Sequence, residues 1–166
     1  MTESPNMSVV MVKNLLHSFE ILYGKKQLNF ALSKYDLKGN VMEDDSDCIS
    51  IAILYEFFFN ESERLNDPLI GLKIGGLIGL KKIKWVYDLF FYGTSVRDSM
   101  RTFNRYHKFY IDVFDIDIED QADCVYWVLT ANEYEKIPYQ FIDFMMEFTC
   151  RSANLVGGNG IAAVDF

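Results

Sequence analysis

"DVFDIDIED", Asp112–Asp120, is where the hydrophobic period of this chain changes. Phe114, Ile116 and Ile118 alternate with Asp115, Asp117 and Glu119, so one set of side chains faces a core and the other faces water. A repeat of two belongs to a half-buried β-strand. "DQAD" (120–123) supplies a turn, and "CVYWVLT" (124–130) is a second strand rich in β-branched and aromatic residues. Before this point the apolar residues recur at helical spacing, and Pro138 starts another helix that reaches about Asn154. The expected fold class is therefore α+β. It has an N-terminal helical bundle of about six helices, then a small antiparallel sheet and a C-terminal helix.

Upstream, residues 8 to 23 place Val9, Val12, Leu15, Leu16, Phe19 and Tyr23 on one helical face, with Gly24 as the stop. Residues 26 to 35 read as a second short helix, and "KGNVMEDDSD" (38–47) as a loop. Ser46 or Asp47 is placed to cap a helix over "ISIAILYEFFFNESERL" (49–65). Asp67 is expected at the next N-cap, with Pro68 at the first helical position, where its missing N–H costs nothing. Residues 82 to 92 form a further apolar helix ended by Gly93. Ser95 then caps a helix to about Tyr110, with Asp98 three residues on in a capping-box arrangement. "LVGGNGIAAVDF" (155–166) reads as a glycine-rich loop entering a strand, so the chain ends as though cut.

The 166 residues suit one domain, and half of them are hydrophobic, enough for a sizeable core. A net charge of −8 argues against a nucleic-acid grip by this chain alone, because such affinity comes mostly from cations neutralising phosphates. Three scattered cysteines, Cys48, Cys124 and Cys150, point to a reducing compartment. There is no basic-then-apolar leader and no apolar run of the ~18 residues a membrane span needs. The expectation is a cytoplasmic protein with no membrane partner.

Gly71, Gly75, Gly76 and Gly79 raise the question of a phosphate cradle. A dinucleotide fingerprint needs G-x-G-x-x-G after a strand, and a Walker loop ends in G-K-[ST]. Here the spacing is G-x-x-x-G-G-x-x-G, a helix precedes it, and Leu80-Lys81 follow Gly79. Gly71 and Gly75 lie one turn apart, so close approach of another helix is the favoured reading.

On the helix from Ser95, Val96, Met100, Phe103, His107 and Tyr110 share one side, while Arg97, Arg101, Arg105 and Lys108 share another. Four cations on one face fit an anionic ligand held by guanidinium forks. The usual meaning of such a stripe, however, is a solvated face, or pairing with the acidic strand face. Asp115, Asp117 and Glu119 match no metal-ligand motif, and His17 and His107 read as packed histidines. No nucleophile motif is present, so the chain is not read as an enzyme, and no metal or cofactor is assigned.

Taken in order, "NDPLIGLKIG" (66–75), "SVRDSMRTFNRY" (95–106) and the alternating strand pair resemble the N-terminal, arabinose-binding-type sensor domain of AraC-family transcription regulators. Asp67, Pro68, Gly71, Leu72 and Gly75 match that family's D-P-x-x-G-L-x-x-G segment. Ser95, Val96, Asp98, Ser99, Met100, Arg101, Arg105 and Tyr106 match its T-L-x-E-A-L-R-x-x-x-R-Y segment, with conservative substitutions. "KKQLNFALSKYDL" (25–37) and "GIAAVDF" (160–166) resemble further segments, so the likeness covers most of the chain. Arg97 departs from the family, which more often has a small residue there.

The resemblance implies a ligand-sensing, regulatory domain spanning residues 1–166, cut before the helix-turn-helix half that reads DNA. The implied partners are a small-molecule effector of unknown identity, DNA through that missing half, and a homodimer. Arg97, Arg101 and Arg105, with Trp85, Tyr87, Tyr92 and Tyr106, are the candidate ligand-binding residues, core packing being the competing role for the aromatics. A ligand-free oligomerisation domain and a haem or gas sensor using His107 or His17 are the alternative readings.

Overall fold

The computed structural model describes residues 5–37, 48–79, 83–84, 87–88, 95–109, 111–121, 125–131 and 136–157. The change of period near Asp112 becomes an antiparallel hairpin of two strands, β3 (Asp115–Asp120) and β4 (Val125–Thr130). Ile116 pairs with Leu129 and Ile118 with Trp127 on the inner face, while Asp115, Asp117 and Glu119 stand exposed on the outer one. The fold class is α+β, with six α-helices and two small antiparallel ribbons among the described residues.

The second ribbon was not expected from the sequence. Strand β1 (Asn6–Ser8) pairs with β2 (Cys48–Ser50), Met7 opposite Ile49. The helix expected to begin behind Ser46 or Asp47 therefore begins later, as α3 (Ile51–Leu65), because residues 48–50 hydrogen-bond to β1 instead. Ser8 closes β1 and caps α1 (Val9–Tyr23), its Oγ accepting from the Met11 N–H at 3.4 Å. Gly24, at φ 85°, ends α1 and opens α2 (Lys25–Lys34) in a conformation that L side chains rarely adopt.

Helix α3 ends with Asn66 in the left-handed region, where the Asp67 N–H reaches Ser62 O and the Asn66 N–H reaches Glu63 O. That is the Schellman pattern with Asn in the usual glycine position. Asp67 then sits two residues before the N-cap rather than on it. Its Oδ1 accepts from the Leu69 N–H at 3.2 Å, a local turn that Pro68 favours, and α4 runs Ile70–Leu77. Ser95 caps α5 (Val96–Tyr106) through the Asp98 N–H at 3.1 Å, as the sequence suggested. The helix stops earlier than Tyr110, passing into a 3₁₀ turn at His107–Phe109. Helix α6 covers Tyr139–Gly157. The expected loop at 38–47, the C-terminal strand and most of the 82–92 helix lie outside the described residues.

The core is built from phenylalanines. Phe58 of α3 meets Phe141 and Phe144 of α6, Phe144 stacks on Phe148, and Phe57 packs on Phe58 and on Phe19 of α1, all at 2% exposure or less. Each aromatic side chain removes a large apolar area from water, which is the dominant favourable contribution here. Helices α4 and α6 pack backbone to backbone at Gly71 and Gly75. Gly71 and Gly75 of the glycine run are therefore a helix-packing surface. No helix among the described residues is long and apolar enough to cross a membrane.

Candidate functional site

Helix α3 turns Phe57 and Phe58 inward, and the same run leaves Phe59 half in solvent. Tyr55 lies one turn before Phe59 on the same flank. At the other end of the core, Pro138 starts α6, with the Phe141 and Ile142 N–H groups bonded to its carbonyl. The first turn of α6 therefore faces the flank of α3 across a cleft of about 780 Å³. Tyr55, Glu56, Phe59 and Asn60 line one side, and Lys136 to Gln140 with Ile142 line the other.

Gln140 is a buried polar residue in the wall of this cleft. It is 1% exposed, and its Nε2 donates to Ser62 Oγ at 3.0 Å. Its Oε1 finds no partner among the described residues. One end of a buried amide is bonded and the other is left open, a state that ordinarily costs about 1–3 kcal/mol. The main-chain carbonyl of the same residue is pressed against Gly71 of α4. The cleft and the tightest helix contact thus share one residue. Around the opening, Phe59 and Tyr139 are each more than half exposed, and the Tyr55 ring packs edge-on against Phe141 at 5.1 Å.

Two polar clusters elsewhere are satisfied internally. Asp67 accepts from the Tyr23 hydroxyl at 2.7 Å, from Lys73 Nζ at 2.5 Å and from the Leu69 N–H. Burial would raise its pKa, but the Lys73 bond and charge, with the Tyr23 and Leu69 bonds, hold it below the usual carboxylate value. Tyr23 moves the other way, raised by burial and by the Asp67 carboxylate. Glu61, with no exposure, is held by Arg64 Nε at 2.8 Å and the Tyr35 hydroxyl at 3.0 Å, with Lys34 at 3.7 Å. Burial and the Glu61 charge raise Tyr35 in turn. Both carboxylates tie helices together: Asp67 joins α1 to the start of α4, and Glu61 joins α2 to α3.

Arg97, Arg101 and Arg105 stand in one exposed row along α5, with Tyr106 beside them. Lys108 continues the row into the 3₁₀ turn and pairs with Asp115 at 2.6 Å, so pairing with the acidic strand does occur at that end. None of these residues lines the cleft. Tyr87 is partly buried against the core, and Trp85 and Tyr92 lie outside the described residues. His107 is buried, with Nδ1 2.7 Å from Asn104 O and Nε2 2.9 Å from Phe114 O. His17 is exposed. Among the described residues no group of three His, Cys, Asp or Glu is placed to hold a metal ion.

Sequence reading missed the cleft residues. Phe59 looks the same as Phe57 and Phe58 in the sequence, and only the helical angle separates them. The available signal was the Tyr55/Phe59 pair at (i, i+4) beyond the buried stripe. No family model matches the chain, and no curated protein matches it.

Proposed function

We propose that this chain is the effector-binding regulatory domain of an AraC-type transcription regulator, acting on a helix-turn-helix DNA-binding unit. Its effector site is the cleft between α3 and the first turn of α6. The observation that carries the reading is the aromatic-walled cleft, with the half-exposed Phe59 and Tyr139 at its mouth and Gln140 buried in its wall. A concave apolar site with a few convergent polar groups is the usual form of a small-molecule pocket. A ligand that stacks on Phe59 or Tyr139 covers apolar surface that the empty cleft leaves in water. The motif resemblance supports the regulatory part, since its Asp67, Gly71 and Gly75 are the residues that fix α4.

The mechanism follows from Gln140. A ligand that moves the first turn of α6 changes how that turn sits on Gly71, and so changes the α4–α6 packing. Such a ligand shifts the population of two packings by its difference in affinity for them. His107 has both ring nitrogens at carbonyl oxygens and His17 stands in solvent, which favours this reading over the haem alternative.

The experiment is a thermal-shift screen of small polar aromatic compounds on the wild type and on Tyr139→Ala. Binding to the native state raises Tm by mass action. A compound that stabilises the wild type and loses about ten-fold in affinity in the variant supports the site. Binders that ignore both Tyr139→Ala and Phe59→Ala place the effector elsewhere.

A further inference from the structure

Among the described residues lining the cleft between α3 and α6, the charged ones are Glu56 and Lys136. Lys136 already has a partner within the chain. Glu56 is exposed and takes part in none of the ion pairs among the described residues. The uncommitted charge in this lining is therefore negative. It belongs to a chain of net charge −8, and a concave site of one sign draws ligands of the other.

What surrounds that carboxylate is aromatic. Phe59 lies three residues beyond Glu56 along α3, so the two are neighbours on the helix surface. Tyr55 directly precedes Glu56, and Tyr139 lines the opposite side of the cleft. Phe59 is 53% exposed and Tyr139 55%, so both rings are open to a ligand. The face of an aromatic ring is electron-rich and attracts an ammonium or guanidinium group placed over it. A carboxylate with aromatic rings about it is thus the composition that recognises an organic cation. An anion is repelled by the same carboxylate, and a neutral compound gains from the rings alone.

We propose that the cleft takes a small organic cation, an amine or guanidinium compound whose charged end lies between Glu56 and the rings of Phe59 and Tyr139. The proposal rests on the reading of this cleft as the effector site, and it adds the charge of the effector. The cleft volume of about 780 Å³ is that of a small-molecule site. An exposed ion pair and a cation over an exposed ring are each weak, but they act on the same charge. Together they favour a cation over its neutral counterpart by about ten-fold.

Benzylamine, benzyl alcohol and benzoate test it, since they offer one ring with a positive, a neutral and a negative end at about pH 7. Amide NMR titrations of the whole chain read both the place and the affinity. Titration to about 20 mM spans the millimolar affinity of such small compounds. Benzylamine is expected to shift the amides of residues 55–60 and 136–142 and to bind about ten-fold more tightly than benzyl alcohol, with benzoate weakest. Glu56→Gln is expected to cut that preference to about two-fold, the part that the rings supply, while circular dichroism stays that of the wild type. Glu56→Lys is expected to abolish it. Benzyl alcohol that binds the cleft as tightly as benzylamine overturns the proposal and leaves the effector site standing. A preference for benzylamine that survives both Glu56 variants overturns it too, as do benzylamine shifts confined to amides outside the cleft. The cleft reading fails by a separate result, when the binders from the thermal screen ignore both Tyr139→Ala and Phe59→Ala.

Discussion

A Cβ added to Gly71 would lie 1.8 Å from the main-chain carbonyl oxygen of Gln140. That oxygen cannot retreat without moving the first turn of α6. Gly71→Ala is therefore expected to cost about 3 kcal/mol or more, since the strain falls on backbone rather than on a side chain that can swing away. Gly75→Ala meets Phe144 O at 2.7 Å and should destabilise less but measurably. Gly76→Ala meets only side chains, at 3.6 Å or beyond, and should be neutral or gain up to about 1 kcal/mol of helix propensity. Urea unfolding of the three variants checks the ranking, and equal effects would refute backbone contact as the cause.

The Asp67 cluster makes stability depend on pH at both ends. Its carboxyl is held below its ordinary value, so its contribution is present above the unfolded value of about 3.9 and is lost as pH falls through the folded one. Tyr23 and Tyr35 are held above theirs, so their contribution is present below about pH 10 and is lost as pH rises further. The urea midpoint should fall on both sides. Asp67→Ala should flatten the acid limb and cost about 1–3 kcal/mol at neutral pH. An unchanged acid limb in that variant would assign the acid loss to other groups.

Arg64 is expected to matter more than any exposed cation. Removing it leaves Glu61 buried beside one phenol and an ammonium at 3.7 Å, and also strips the guanidinium from the Phe30 ring. Arg64→Ala should cost about 3 kcal/mol or more, whereas Lys84→Ala, at a surface pair, should cost less than about 0.5 kcal/mol. Replacing both partners, Glu61→Leu with Arg64→Met, should recover much of the loss. A double variant as unstable as the single one would show that the packing of Arg64, rather than the stranded carboxylate, sets the cost.

His107 spans two carbonyls, Asn104 O and Phe114 O, across the junction of α5 and β3. A neutral ring donates from one nitrogen only, and the cation donates from both. His107→Leu removes every donor and is expected to cost about 2 kcal/mol, while a glutamine there keeps one donor and should cost less. Thermal unfolding of the two variants measures the difference.

The hairpin was legible in the sequence because one of its faces is wet: Asp115, Asp117 and Glu119 mark the alternation as clearly as Ile116 and Ile118 do. The Ser95 cap was legible because its partner, the Asp98 N–H, is three residues away. Strands β1 and β2 were not, because three residues carry no period and their pairing is decided by a partner some forty positions along the chain. Ser46 and Asp47 look like caps ahead of an apolar run, and nothing local shows that Ile49 pairs with Met7. The arginine row could be read from its spacing. The cleft could not, because it forms only when residues 55–60 and 136–142 are brought together.

The N-terminal strand has a consequence for the order in which the molecule assembles. Met7 pairs with Ile49 on one side and bridges Ile111 on the other, while Asn6 bonds Asp112, 106 residues away. The chain must close two long loops before this joint can form, and loop closure is an entropic cost met before any contact rewards it. The helices, whose contacts along α1 and α3 are local, have no such wait. The joint is therefore expected to form late in folding. By the same reasoning it is an early departure, so the amides of residues 6–8 and 48–50 should exchange with solvent sooner than those of α3.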